Sequence, residues 1–174
     1  MDTLKWWQQT AVYQIYPRSF QDTTGSGEGD IAGVTRHLDY LKKLGVGAIW
    51  LTPVYPSPMV DNGYDISDYT AIDGRYGTIE DMDTLIAEGK KWDIRVVMDL
   101  VYNHTSDQHA WFQESKRSRT NDKADWYIWR DAKEDGSAPT NWRSIFGGSA
   151  WTWCEERQQY YLHTFVVEQP DLNW

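Results

Sequence analysis

The chain carries a single cysteine, Cys154, in 174 residues. One thiol excludes an internal disulfide framework, the usual support of small secreted domains. Cys154 lies between Trp153 and Glu155. Nothing in that setting would activate a thiolate, so it reads as a structural thiol and not a nucleophile. Basic residues are also in short supply: 17 Lys and Arg against 26 Asp and Glu give a net charge of −9. An acidic surface excludes nucleic acid and anionic membrane surfaces as the main partners. No apolar run approaches the roughly 20 residues of a membrane span. Met1 to Thr10 lacks the basic region and apolar core of a secretory signal, so a cytoplasmic location is expected. A phosphate-binding glycine fingerprint is missing as well. Gly25 to Gly29 reads GSGEG, without the glycine order of a dinucleotide turn.

What the chain has in excess is large amphipathic rings. It holds 11 Trp and 11 Tyr, about three to four times the ordinary Trp share. These residues offer an apolar face with a polar edge, which suits sugar rings and interfaces. Packing of large rings in a layered barrel is the other reading, and composition does not separate the two.

Hydrophobic periodicity organises the first two thirds of the chain. Ala11 to Pro17 predicts a strand. Ile31, Val34, Leu38, Leu41 and Leu44 recur at helical spacing, with Asp30 as N-cap and Gly45 just past the end. Val46 to Thr52 predicts a second strand. Thr78 with Asp81 three residues on predicts a capped helix with Ile79, Met82, Leu85 and Ile86 on its apolar face and Gly89 at its end. Ile94 to Leu100 predicts a third strand, buried on both faces. It runs into a polar edge of Asp99, Asn103, His104, Thr105 and Ser106. That edge is either ordinary loop chemistry or the C-terminal rim of a catalytic sheet. Strand, helix, strand, helix, strand defines two βαβ units and a parallel sheet, which begins either a Rossmann-like sheet or a (β/α)₈ barrel.

A further helix is predicted over Asp107–Arg117, capped by Thr105 or Ser106. From Thr120 to Trp174 the chain becomes polar, Trp-rich and irregular, with β-like pieces at Trp126–Arg130 and Tyr160–Val167. The predicted division is residues 1–119 as three βα units and 120–174 as a small insertion domain.

Six stretches in order, YQIYPRSF, GAIWLTPVYPSP, DNGYDISDY, DLVYNHTSDQHAWF, NWRSIFGGSAW and QPDLNW, together resemble the α-amylase superfamily of glycoside hydrolases, in its oligo-1,6-glucosidase branch. Within that branch the loop DTTGSGEGD and the stretch GSAPTNWRSIFGGSAW look most like the trehalose-6-phosphate hydrolases. The resemblance implies an α/β fold: the N-terminal part of a (β/α)₈ TIM barrel with a small irregular insertion domain after the third strand. It implies a retaining α-glucosidase that hydrolyses trehalose 6-phosphate to glucose and glucose 6-phosphate, or else an oligo-1,6-glucosidase or dextran glucosidase. A third implied class is the non-catalytic relatives that share the barrel.

The same resemblance carries a set of site residues onto this chain. Asp61 would accept hydrogen bonds from sugar hydroxyls, Tyr64 would stack on the ring, and His104 would bind near its 6-hydroxyl. Phe146 and Phe165 would form aromatic walls, and Gln169 would be a polar pocket residue. Asp99 and Asn103 would be mainly structural, as would His109 and His163. Many relatives hold calcium in the loop corresponding to Asp22–Asp30. Here Thr24 and Ser26 stand where Asn and Asp are usual, so Asp22, Thr24, Ser26, Glu28 and Asp30 would form at best a weak calcium site. No cofactor is expected to be required. The expected partner is a small-molecule α-glucoside that carries a phosphate in the phosphotrehalase reading, and the intact enzyme is expected to be a monomer.

The family's nucleophile and acid/base lie on later strands, beyond residue 174, so no catalytic residue falls in this chain. A full barrel takes about 250 residues or more. A chain ending at Trp174 is therefore expected to be inactive and poorly soluble.

Overall fold

The structure, a computed structural model, describes residues 4–174. Met1, Asp2 and Thr3, part of the stretch read above for a signal, lie outside the described residues. The described residues divide into two compact units, one of residues 4–56 and 70–100, the other of residues 57–69 and 101–174.

The first unit is built on a three-stranded parallel sheet in the order β1 (Ala11–Ile15), β2 (Val46–Leu51), β3 (Arg95–Met98). Two crossovers join the strands. The first contains α1 (Ile31–Arg36) and α2 (Leu38–Lys43), the second α3 (Ile79–Lys91). Helix starts follow local chemistry. Asp30 caps α1, its Oδ1 accepting from the Gly33 amide at 2.7 Å. Thr78 and Asp81 form a reciprocal capping box on α3: the Thr78 amide donates to Asp81 Oδ2 at 2.8 Å and the Asp81 amide to Thr78 Oγ1 at 3.3 Å. Gly45 takes the left-handed conformation past the end of α2, at φ +80°.

Three expectations change. The single helix expected over 31–44 breaks at His37. The His37 ring Nδ1 sits 2.9 Å from the Gly33 carbonyl, the acceptor its own amide would use, and that amide bonds Val34 O instead. Gly89 does not end α3, which continues to Lys91; Asp93, at φ 54°, makes the reversal. Gly89 is needed for space, since a Cβ there would lie 2.9 Å from the Ile94 carbonyl. Finally, β3 is not buried on both faces. Among the described residues Val96 and Met98 pack against the core from one face, while Arg95 and Val97 (38%) on the other are exposed. β2 is the central strand, with Val46, Ala48, Ile49 and Leu51 buried against Ile31, Val34, Leu38, Leu41, Met82 and Leu85.

The second unit is not irregular throughout. Strands β4 (Trp129–Arg130), β5 (Trp151–Cys154) and β6 (Gln159–Leu162) form an antiparallel sheet in the order β4-β6-β5. A short helix, α4 (Ala110–Ser115), packs Phe112 against Tyr127, Trp129 and Tyr161, with the Phe112 and Trp129 rings stacked at 5.5 Å. That packing places 101–119 with the second unit rather than with the sheet strands, so the compact boundary falls at Val101 and not at residue 120. His109, and not Thr105 or Ser106, caps α4: its Nδ1 accepts from the Trp111 amide at 3.1 Å. Thr105 is instead fully buried, 2.7 Å from the Tyr127 hydroxyl. Segment 57–69 joins the same unit: the Tyr69 hydroxyl donates to the Val101 and His104 carbonyls, and the Ser106 amide to Ile66 O.

Arg157 ties this unit together. It is only 6% exposed, and its guanidinium lies 4.5 Å over the Trp129 ring. Nη1 donates to the Ser115 and Ser118 carbonyls at 2.5 and 2.7 Å, Nη2 to Ala124 O at 3.0 Å and Nε to Gln159 Oε1 at 2.8 Å. Burial, with a lesser push from Arg119, moves its pKa down, as loss of water does to any cation.

Candidate functional site

The turn residues of 57–65 shape the loop that carries Asp61 and Tyr64. Met59, Asn62 and Gly63 take positive φ of 66°, 52° and 99°, and the Tyr64 amide donates back to Asp61 O at 2.9 Å. Asp65 organises the turn from inside. Fully buried, it accepts from Ser57 Oγ at 2.9 Å, the Val60 amide at 2.9 Å and the Asp61 amide at 3.0 Å. Sequence reasoning missed this role. The available signal was turn chemistry, since a second Asp just past Asn-Gly is well placed to accept loop amides.

His104 joins this loop from the other segment of the unit. Its ring is 3% exposed, with Nε2 3.1 Å from the Tyr64 carbonyl and Nδ1 3.2 Å from Asn103 Nδ2. A carbonyl only accepts, so Nε2 carries a hydrogen. Burial lowers the imidazole pKa and outweighs the Tyr64 carbonyl and the carboxylates of Asp171, Asp61 and Asp65, which pull the other way. Both ring nitrogens thus already have protein partners. A sugar hydroxyl at Nε2 would share the N–H with Tyr64.

Residues 165–171 close the cluster. Gln169 has no exposed surface. Its Nε2 donates to Asp61 Oδ2 at 3.0 Å, and its Oε1 accepts from the Val166 amide at 3.2 Å. The Phe165 ring lies 5.1 Å from His104 and 6.2 Å from Phe146. The structure therefore joins Asp61 to Gln169, and the Tyr64 backbone to His104, Phe165 and then Phe146. Phe146 is the outlier at 63% exposed, touching the group through Phe165. His163 is buried, bonded to Thr152 Oγ1 and the Phe165 carbonyl at 3.0 Å each. Asp171 is a second carboxylate missed from sequence, 4% exposed and linked to Asn103. Asp99 stays in the first unit, where Trp50 Nε1 donates to it at 3.2 Å.

The side-chain oxygens of the cation loop are tied to protein partners, Thr24 Oγ1 donating to Asp22 Oδ1 at 3.1 Å. Asp22 Oδ1 accepts from the Thr24 and Gly25 amides at 2.8 Å each and Oδ2 from the Gly27 amide at 2.7 Å. Asp30 accepts from the Thr23 amide and hydroxyl and caps α1. Glu28 pairs with Arg18 at 2.6 Å, and Ser26 bonds the Glu28 backbone. Among the described residues no group of three or more His, Cys, Asp or Glu is placed to hold a metal ion. This donor set does not fit a calcium cage. The amides hold Asp22 down to a pKa of about 2 from 3.8. The loop's ties are thus complete above pH 3.8 and are lost as pH falls through about 2. Calcium at about 1 mM is expected to shift the melting temperature by less than about 1 °C relative to chelator. A saturable rise in melting temperature would contradict the reading.

A parallel sheet wound by βα units, with carboxylate, imidazole and aromatic groups on the segments that follow its second and third strands, is the arrangement of a barrel-type catalytic domain. The chain belongs to the alpha-amylase family: the model of the alpha amylase catalytic domain matches residues 14–174. Its fold is that of the first three βα units of the (β/α)₈ barrel and the smaller domain that follows them. Trehalose-6-phosphate hydrolase of Escherichia coli is 60% identical over 169 residues, 97% of this chain and 30% of the relative. Oligo-1,6-glucosidase of Heyndrickxia coagulans is 58% identical over 98% of this chain and 31% of the relative. The crystal structure of a Bacillus licheniformis trehalose-6-phosphate hydrolase mutant in complex with PNG superposes with a TM-score of 0.95 at 56% identity, over 97% of this chain and 30% of that one. The chain thus spans about a third of the length of these relatives.

Proposed function

We propose that the full-length protein is a retaining α-glucosidase and that Asp61, Tyr64, His104, Phe146, Phe165 and Gln169 hold the terminal glucosyl ring. One observation carries this reading: Gln169, with no exposed surface, spends its amide on positioning the Asp61 carboxylate, and the His104 imidazole is locked to the same loop at Tyr64. Fixing a carboxylate beside aromatic rings matches a ligand with hydroxyls at its edge and C–H groups on its faces. The nucleophile and the acid/base come from strands beyond residue 174, with their carboxyl groups about 5 Å apart.

Trehalose 6-phosphate is the proposed substrate, supported by the trehalose-6-phosphate hydrolases of Escherichia coli and Bacillus subtilis among the relatives, at 60% and 57% identity. Oligo-1,6-glucosidases at 58% support the second reading, an enzyme for isomaltose-type linkages. Assay of the full-length protein on trehalose 6-phosphate and on isomaltose decides between them. The proposal expects kcat/KM on trehalose 6-phosphate to exceed that on isomaltose by at least about tenfold. The reverse preference establishes the second reading. Hydrolysis of neither compound removes the enzymatic reading. Among the described residues no helix is long and apolar enough to cross a membrane. We place the enzyme in the cytoplasm as a monomer that needs no cofactor.

A further inference from the structure

Asp171 is a buried carboxylate to which the reading above gives no work. It accepts from the Thr164 amide at 3.0 Å and from the Thr164 hydroxyl, and Asn103 Nδ2 donates to its Oδ1 at 3.2 Å. Its own backbone is bridged to His104, and the neighbouring Leu172 amide donates to the Asn103 carbonyl at 3.0 Å. The carboxylate is thus fixed from both sides.

A carboxylate can only accept, so Asp171 forces Asn103 to present its NH₂ group rather than its carbonyl oxygen. The same NH₂ lies 3.2 Å from His104 Nδ1. Facing a donor, Nδ1 must be the bare nitrogen, and the ring hydrogen sits on Nε2, directed at the Tyr64 carbonyl. The direction of each bond in the series Thr164, Asp171, Asn103, His104, Tyr64 follows from the one before it.

We propose that Asp171 is a positioning residue, acting through the Asn103 amide to fix His104 as the neutral imidazole with its hydrogen on Nε2. That choice of tautomer holds Tyr64, and with it the Asp61–Tyr64 turn, in place. The consequence for substrate rests on the sugar-pocket reading; the tautomer does not.

The test uses the full-length enzyme with ring-¹⁵N histidine, His104 being assigned by loss of its signals in His104→Gln. In the unsubstituted enzyme, His104 is expected to show protonated Nε2 and bare Nδ1 from about pH 5.5 to 8. The acidic side chains of Asp171, Asp61 and Asp65 face this ring, and burial raises the Asp171 pKa above its ordinary value. In Asp171→Asn the Asn103 amide is free to turn, and a protonated Nδ1 fraction appears. KM for an α-glucoside rises about threefold to tenfold while kcat changes by less than about twofold. Thr164→Val, which removes one hydroxyl from Asp171, gives a smaller change in the same direction. Protonated Nδ1 in the unsubstituted enzyme overturns the proposal whatever the variants do. Unchanged shifts in folded Asp171→Asn also overturn it. A mixed tautomer with unchanged KM removes the link to substrate. Calorimetry of glucose binding to the unsubstituted enzyme checks the pocket independently, so failure there is distinguishable from failure of the tautomer.

Discussion

Asp61→Asn is expected to lower kcat/KM of the full-length enzyme for its α-glucoside by about 10³-fold. The substitution is nearly isosteric, and its amide oxygen can still accept from Gln169 Nε2, the contact seen at 3.0 Å. What disappears is the charge and one acceptor. A hydrogen bond from a neutral group to a charged one contributes about 1.5–3 kcal/mol, and a polar site left mismatched loses more than the bond itself. Two such contacts to sugar hydroxyls give the stated factor. Steady-state kinetics on folded protein, with circular dichroism as control, makes the measurement. Activity within about tenfold of the original would remove Asp61 from the pocket.

The second large effect is on stability. Arg157→Met keeps an unbranched apolar side chain but removes the guanidinium that lies over Trp129 and its four hydrogen bonds. The carbonyls of Ser115, Ser118 and Ala124 lose a shared donor in a place where water is scarce. A buried acceptor left without its donor costs about 1–3 kcal/mol, and three carbonyls lose one here, so a loss of about 3–5 kcal/mol is expected. The expected result is a loss of that size in the denaturant-induced unfolding of the unit containing 101–174. Arg157→Lys should recover part of it, because an ammonium keeps the charge but not the planar spread of donors. A methionine variant within about 1 kcal/mol of the parent would show that these bonds are replaceable by solvent.

Features set within a few residues were legible in the sequence. Asp30 and Thr78 cap helices because the carboxylate or hydroxyl meets an amide three residues on. The two βαβ units followed from periodicity. Burial was harder to read. A Val- and Ile-rich run such as Ile94–Leu100 looks the same whether one face is covered or both, and β3 alternates exposed and half-buried residues. The break at His37 depends on a side chain competing for a carbonyl, which no periodicity records. Within the site, Asp61 and Gln169 came from the resemblance. The carboxylates Asp65 and Asp171 were invisible, because a buried Asp is defined by its donors, and those of Asp171 include an amide 68 positions away.

The Asp61–Gln169 contact spans 108 positions. At about 5–20 residues per second of translation, the Asp61 turn leaves the ribosome roughly 5–20 s before the amide that holds it. During that interval the carboxylate has only water for company. Nascent-chain populations stalled before Gln169 should therefore differ from later ones in protease susceptibility around residues 57–65, a timing signature of a turn whose last tie arrives late.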